Sequence, residues 1–446
     1  MSHAQTSSSG SPTRAADGTT ADAPVHVTRL LAGVRRDRAL NLTEHREVHG
    51  TLAFLNSRTT KASSQSTRNA IIAAGIGGRG GAGFPFAQKL AAVARQNRRP
   101  VVVVNVAESE PASAKDATLA TLTPHLVLDG AEVAARLVGA KKVFVWTHRG
   151  HAHVSHALRK AVRERPSGGL TWQIVEGPDR YVAGESSAIV RHLSGGPAQP
   201  TTTPPRVAER GVGGAPTLLS NAETFAHVAL VARHGAAWFR SVGTHDEPGT
   251  LLLTLAGAAA TPGVVEVPFG ALVGDVIEAH GGLAGPVDAV LVGGYGARWM
   301  RWSDAARLPV SRQSFRAAGA DLGVGLVAFL PRSRCGLGET ARLTRWMAGE
   351  SAGQCGPCVN GLPAMAGAFE ALVRSGNAQA PTLLRRWARQ VVGRGACHHP
   401  DGVAHLVDSA LDVFTADIDR HLLDGSCAGC SEPPVLPLPR VAGGWV

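Results

Sequence analysis

The stretch 350–361 reads ESAGQCGPCVNG and sets two thiols, Cys355 and Cys358, three residues apart. Thiolates at that spacing can grip one metal centre or close a redox disulfide. The Gly, Pro, Ser and Asn around them spell a loop ahead of an apolar helical run. A third thiol, Cys397, stands in GRGACHHPDG beside His398 and His399. Cys427 and Cys430 form CAGC in a Gly/Pro-rich tail, and Cys335 completes the set. For the CAGC pair a second metal site, a redox pair and an inert tail are all open.

A different chemistry is written at 75–86, GIGGRGGAGFPF, where six of twelve residues are glycine. Glycine permits positive φ and lets backbone N–H groups come close to a phosphate. Arg79 and the following Lys89 add positive charge, and the loop opens onto a helical stretch whose N-terminus attracts anions. No Gly-Lys-Ser/Thr follows, which excludes a Walker A loop, and no convincing strand precedes it, as the dinucleotide fingerprint requires. A second cluster, NVAESEPASAKD, carries Asn105, Glu108, Ser109 and Glu110. It follows an apolar run, and open α/β sheets bind ligands beyond the carboxyl ends of their strands. Amide, hydroxyl and carboxylate groups there suit a polyol chain and the polar edge of a flavin ring.

The elements that must position these residues follow from hydrophobic period. STRNAIIAAGI reads as a helix, the glycine loop interrupts it, and AQKLAAVARQNR resumes helical spacing. PVVVVNVAE, KKVFVWT and LTWQIVEG read as strands, with HLVLDGAEVAARLVGA and HVSHALRKAVRER as helices between them. Strands alternating with helices predict a parallel sheet covered on its faces. PTLLSNAETFAHVALVARHG reads as a helix with Ser220 or Asn221 near its start. From about 249 the pattern becomes strand, strand, helix, strand, strand in TLLLTLAG, GVVEVPFG, ALVGDVIEAHGG, AVLVGG and GVGLVAFLP. Beyond 337 helices dominate, the last being GVAHLVDSALDVFTADIDRHLL.

Composition bounds the answer. At 446 residues with 44% hydrophobic and 18% charged content, the chain is an ordinary globular protein with a sizeable core. Six cysteines make no disulfide framework, and their clustering in the last quarter points to a local site in a reducing compartment. The net charge of +11 comes mostly from arginine, with only six lysines. That charge reads either as base composition or as a surface for an acidic partner. No basic run with interleaved aromatics marks a nucleic-acid site, and no apolar run suggests a membrane span. Residues 1–26 read as a polar, disordered tail without a signal peptide's apolar segment. The expected location is cytoplasmic, with peripheral attachment to a membrane complex left open.

Taken together, GRGGAGFP…K, N-x-x-E-x-E-P…KD, RY-x-x-GE, PT-x-x-x-N-x-ET and the later cysteines resemble one family. It is the NADH-binding FMN/iron–sulfur flavoprotein subunit of respiratory complex I, shared with diaphorase subunits of NAD-linked hydrogenases and formate dehydrogenases. The resemblance runs from about Val27 to about Leu423. It implies an α/β fold: a Rossmann-like FMN-binding domain at 27–246, a ubiquitin-like, soluble-ligand-binding β-grasp module at 247–332, and a C-terminal helical iron–sulfur domain at 333–424. Residues 425–446 remain as a Cys/Pro-rich tail.

Carried over, the FMN phosphate meets Gly78, Arg79, Gly80 and Gly81, with Lys89. Asn105, Glu108 and Ser109 face the flavin and its polyol chain, and Tyr181, Gly184 and Glu185 line the other wall. Ser220, Asn221 and Thr224 close the phosphate end. Phe84 and Glu110, the implied catalytic pair, match positions that contact the nicotinamide nucleotide. Cys355, Cys358 and Cys397 match three metal ligands, while Ala352 stands where the family has its first cysteine. A [4Fe–4S] cluster normally takes four thiolates. The expectations are therefore a [3Fe–4S] cluster, a [4Fe–4S] cluster with one iron held otherwise, a replacement ligand among His398, His399, Cys335, Cys427 and Cys430, or no cluster or a zinc ion.

Further departures fall on the nicotinamide side. Ala107 replaces an Asp, Ser186 a Glu, and Thr203 and Arg206 fall where a Lys and a Phe help hold NADH. The implied function is an electron-transfer oxidoreductase subunit passing electrons from NAD(P)H through FMN to an iron–sulfur cluster and on to a redox partner subunit. A protein donor such as ferredoxin, or a non-catalytic assembly role, are the alternatives.

Overall fold

The computed structural model describes residues 27–35, 38–56, 60–166, 168–440 and 443–446. The expected tail at 1–26 lies outside the described residues. The first sheet is parallel throughout, in the order β3-β2-β1-β4. Its strands are β1 (Val101–Asn105), β2 (Lys142–His148), β3 (Thr171–Gly177) and β4 (Thr217–Asn221). The inward positions of β1 and β2 are β-branched or aromatic, and Val102, Val103, Val104, Val143, Val145 and Trp146 are all fully buried. Such doubly covered strands read as continuous apolar runs rather than alternating ones.

The stretch 217–221 is a strand that the sequence does not announce, while the helix after it starts at Asn221 as expected. TLLSN is too short to carry a periodic signal of its own, and its pairing with β1 decides the matter. The helix that follows, Ala222–Phe239, is capped by the Asn221 side chain, which accepts from the Glu223 N–H. It packs on the helix Pro124–Val138 at Gly130, where an added Cβ would sit 1.7 Å from the Phe225 carbonyl oxygen. A mid-helix glycine costs roughly 1 kcal/mol in propensity, and here the close approach of two helices explains it.

The second sheet is mixed, in the order β6-β5-β9-β7-β8. Its strands are β5 (Thr250–Gly257), β6 (Gly263–Pro268), β7 (Val287–Val292), β8 (Arg298–Arg301) and β9 (Leu326–Pro331). β5 and β6 form an antiparallel hairpin, the helix Val273–Ala279 follows, and β9 returns to the centre parallel to β5. β7 pairs antiparallel with both β8 and β9. Together with the parallel sheet and the helical end, this is the α/β architecture expected.

The C-terminal part is built from the helices Gly336–Gly349, Leu362–Ser375, Ala380–Val391, His399–Val413 and Thr415–Asp424. The final apolar run, expected as one helix, breaks at Phe414, whose ring packs against Trp299 at 5.2 Å between centroids. The segment after 424 is not a loose tail. Leu436 is buried, its N–H reaches the Glu339 carboxylate at 2.8 Å, and Tyr295 Oη donates to the Pro437 carbonyl at 2.7 Å.

Candidate functional site

The strand order makes a fork. From β1 the chain crosses to β2 on one side, while β4 adds on the other, so the crevice between the ends of β1 and β4 is a topological switch point. Asn105 and Asn221, the last residues of those strands, are register partners there. The Asn105 amide donates to the Gly184 carbonyl at 3.0 Å and its Oδ1 accepts from the Ala107 N–H at 3.1 Å. One of the predicted polar residues thereby ties the β1 end to the Tyr181–Gly184 turn.

The glycine loop lies over the Asn221 end. A Cβ on Gly80 would meet Asn221 Cβ at 3.3 Å, and the Arg79 N–H donates to Thr224 Oγ1 at 3.0 Å. Gly81 has φ +103° and Gly83 φ +70°, conformations open to glycine and costly to other residues. Half-buried Lys89 donates to the Leu219 carbonyl at 3.2 Å, which sets its ammonium at the β4 end. Burial holds that ammonium below its ordinary pKa. Helix N-terminus, glycine backbone and lysine thus converge on one place, an arrangement suited to a phosphate. Ser220 is buried on β4 opposite Val104.

Arg79 departs from expectation. Its guanidinium is buried, donating to the carbonyls of Gly77 at 2.8 Å and Thr250 at 3.0 Å, 3.6 Å from Glu223 and 4.7 Å from the Phe269 ring centroid. Burial first, then Arg312, lowers its pKa to about 9. These partners make it a prop for the loop rather than a phosphate ligand. Arg312, which the sequence reading missed, braces the same loop by donating to the Gly78 carbonyl at 2.8 Å.

Glu108 also turns inward. Its Oε2 accepts from the Asp116 N–H at 2.7 Å, at the start of the helix Lys115–Leu122. Burial, with Asp116 adding to it, pushes its pKa up to about 7. Beside it lies fully buried Lys115, whose ammonium is 3.0 Å from Asp116 and 3.1 Å from Glu223. The charges around Lys115 outweigh its burial and raise its pKa. This network under the crevice was legible only as the letters KD and ET.

Ser109 and Gly184 touch. A Cβ on Gly184 would lie 2.2 Å from Ser109 Oγ. That hydroxyl is 3.0 Å from His148 Nε2, while His148 Nδ1 lies 2.9 Å from the Pro178 carbonyl. A carbonyl only accepts, so Nδ1 carries the hydrogen and Nε2 accepts from Ser109. Burial keeps His148 neutral, its pKa lowered to about 4. Glu185 caps the helix Ser186–Leu193, accepting from the Ser187 and Ala188 N–H groups.

Glu110 is buried behind Tyr181. Its Oε2 accepts from Tyr181 Oη at 3.2 Å and from the Tyr295 N–H at 3.0 Å, while Oε1 has no hydrogen-bond partner among the described residues. Burial pushes its pKa up to about 8, so it is protonated at neutral pH. Phe84, by contrast, is exposed at the rim of the loop.

A cavity of about 410 Å³ joins these parts. Gly80, Tyr181, Glu185 and Thr203 line it together with Cys397 and His399. His399 Nε2 donates to the Met347 carbonyl at 2.9 Å, leaving buried Nδ1 without a partner among the described residues. Gly80 of the glycine loop and the unpaired Nδ1 of His399 face this cavity, and the loop, Lys89 and the helix start at Asn221 beside it fit a bound flavin mononucleotide.

Cys358 sits in the turn Pro357–Gly361, with Cys355 and Cys397 among its neighbours; burial pushes its thiol up to about 12. Burial likewise raises Cys397. The three thiols share one neighbourhood, which fits an iron–sulfur cluster with one corner not held by cysteine. Of the expected substitutes, His398 is exposed beside Asp401 at 3.3 Å and Cys335, Cys427 and Cys430 gather around His421, whereas His399 lines the same cavity as Cys397 and keeps its Nδ1 unpaired among the described residues. The polar group beside the gap is Ser351, which hydrogen-bonds Cys358 and takes the Gly353 N–H at 3.0 Å. Glu350, unnoticed in the sequence, links this loop to the crevice wall, accepting from Arg180 Nε at 3.0 Å and the Tyr181 N–H at 2.7 Å.

Residues 71–230 match the Nuo51 FMN-binding domain, and residues 338–421 match the NADH-ubiquinone oxidoreductase-F iron-sulfur binding region. The chain is 29% identical over 369 residues to an NADH-quinone oxidoreductase subunit of Streptomyces coelicolor, covering 79% of this chain and 82% of that one. It is 29% identical over 368 residues to an NADH-quinone oxidoreductase subunit of Rhizobium meliloti, covering 78% and 87%. Among solved structures, a chain of an NAD+-reducing [NiFe]-hydrogenase in the H2-reduced state superposes with a TM-score of 0.75 at 28% identity, over 85% of this chain and 67% of that one. Among the described residues no helix is long and apolar enough to cross a membrane.

Proposed function

We propose that the chain, a relative of the NADH-binding FMN/iron–sulfur flavoproteins, is the electron-entry subunit of a multi-subunit oxidoreductase. It takes electrons from NAD(P)H at FMN and passes them through the cluster at Cys355, Cys358 and Cys397 to a redox partner subunit. The single observation that carries this reading is the cavity in which Gly80 of the phosphate loop, Tyr181 of the crevice wall and Cys397 of the thiol group face the same space. Flavin, when bound, supplies two-electron acceptance and one-electron release, chemistry that no side chain has.

The chain's own residues bind and position. Gly78, Gly80 and Gly81, with Lys89 and the helix start at Asn221, receive the phosphate. Asn105, Ser109 and the Tyr181–Gly184 turn fix the crevice walls, and Phe84 offers an exposed ring for the nicotinamide nucleotide. Glu110 keeps its proton at neutral pH and so adds no negative charge where phosphates approach. The division into an FMN domain at 27–246, a β-grasp module at 247–332 and an iron–sulfur domain at 333–424, and a cytoplasmic site of action, belong to the same proposal.

Thr203, where the family has a lysine, lines the cavity without charge and favours a second reading, a protein donor such as ferredoxin. An anaerobic titration of the flavin-loaded chain separates the two. Bleaching of the flavin absorbance by NADH or NADPH is expected. Bleaching by reduced ferredoxin alone selects the second reading, and bleaching by neither rejects both. Gly81→Glu tests the phosphate site separately: it should abolish flavin retention, and unchanged flavin content would refute the placement.

A further inference from the structure

Cys335, His421, Cys427 and Cys430 bring one ligand atom each to a common point, all within 4.8 Å of one another. Cys335 and His421 are buried, and Cys427 and Cys430 are half-buried. Cys335 Sγ lies 3.4 Å from His421 Nε2, Cys430 Sγ lies 3.6 Å from the same nitrogen, and the Cys427 and Cys430 sulfurs are 3.7 Å apart. These lengths can be set against the edges of a metal-centred tetrahedron. With zinc–sulfur bonds of about 2.3 Å and zinc–nitrogen bonds of about 2.0 Å, the S···S edge is about 3.8 Å and the S···N edge about 3.5 Å. The observed separations fall on those edges. The thiolates of a four-iron cluster each hold a different iron and stand farther apart than this.

We propose that these four side chains form a second, mononuclear metal site that binds zinc in a closed tetrahedral Cys3His set, separate from the thiols at 355, 358 and 397. With all four positions taken by protein, the site is structural. The Gly338 N–H already donates to Cys335 Sγ at 3.2 Å, as it would to a coordinating thiolate. The ligands come from three places: the turn before Gly336–Gly349, the end of Thr415–Asp424, and the segment that follows. The ion therefore staples the C-terminal segment to the bundle. Downstream, the segment is held by Trp346 Nε1 donating to the Pro439 carbonyl at 2.9 Å, and Trp445 lies 4.1 Å beneath the Arg180 guanidinium at the crevice wall. The arrangement requires Gly429, whose added Cβ would sit 2.7 Å from the Cys335 nitrogen.

The test uses the full-length chain produced with added zinc and iron, desalted, and assayed by elemental mass spectrometry with flavin counted in parallel. The expected result is about one zinc per chain beyond the iron, as a four-ligand site predicts. That zinc should be lost in His421→Ala and in Cys427→Ser/Cys430→Ser, with iron and flavin kept, and retained in His421→Cys, which restores a four-thiolate set. Absence of zinc from the wild type, full zinc in the double variant, or loss of iron in its place would each overturn the proposal. A second measurement needs no variant. Chelator treatment of the wild type should expose the segment after 424 to protease, and zinc should restore protection; equal cleavage with and without zinc would refute the staple.

Discussion

Ser109 and Gly184 offer a double-mutant cycle whose outcome is set by two distances. In Gly184→Ala the new methyl group would sit 2.2 Å from Ser109 Oγ but an acceptable 3.4 Å from Ser109 Cβ and 3.9 Å from Ala107 Cβ. Only the hydroxyl is in the way. It must rotate, and buried His148 Nε2 then loses its donor. Leaving a buried acceptor unpaired costs about 1–3 kcal/mol, so Gly184→Ala should lose that much. Ser109→Ala removes the same hydrogen bond and should lose a similar amount. Combining the two adds little, because the obstacle is gone and His148 is already unpaired. The expected coupling is therefore as large as one single effect, about 1–3 kcal/mol, far outside the few tenths seen for independent sites. The assay is urea unfolding of the flavin-free chain, followed by circular dichroism, for the wild type, both singles and the double. A double variant destabilised by the sum of the singles would refute the claimed contact.

Further outcomes follow from the same site. Glu110 titrates at about 8 when folded against an ordinary 4.5, so the native state holds the extra proton between those values and stability falls as pH rises across that window. Glu110→Gln, which copies the neutral acid, should flatten that slope in pH-dependent melting, and an unchanged slope would count against it. Ala352→Cys should complete the thiolate set, raising the iron content per chain and changing the EPR signal of the reduced protein. Glu350→Ala leaves the buried Arg180 guanidinium without its carboxylate, a loss of about 3–5 kcal/mol for a broken buried pair, measurable by the same denaturation.

Much of the site was legible because its residues lie in short runs with their own punctuation. GRGGAGFP carries its glycines and its turn together, and three of the four strands of the first sheet announce themselves as β-branched runs. What stayed hidden depended on pairing across long separations. β4 is five residues long and becomes a strand only beside β1. Arg79 looked like a phosphate ligand because sequence shows its charge but not that Glu223 and two carbonyls lie beneath it. Arg312, Glu350, Ser351 and His148 have no motif of their own; each was found only through the contact it makes. His421 was one of many scattered histidines until the fold brought three sulfurs to it.

The fork between β1 and β4 also sets an order of events. β1 is complete at Asn105, yet its partner on the open side is not made until Asn221, after both other strands and their helices have been synthesised. Contacts of such long sequence separation form late, because the intervening chain must first be closed into a loop. A ribosome-bound chain halted between those two points carries the glycine loop and Lys89 but lacks the helix start against which they lean. The crevice is thus complete only when the whole α/β region has been made, since its two walls come from segments more than a hundred residues apart.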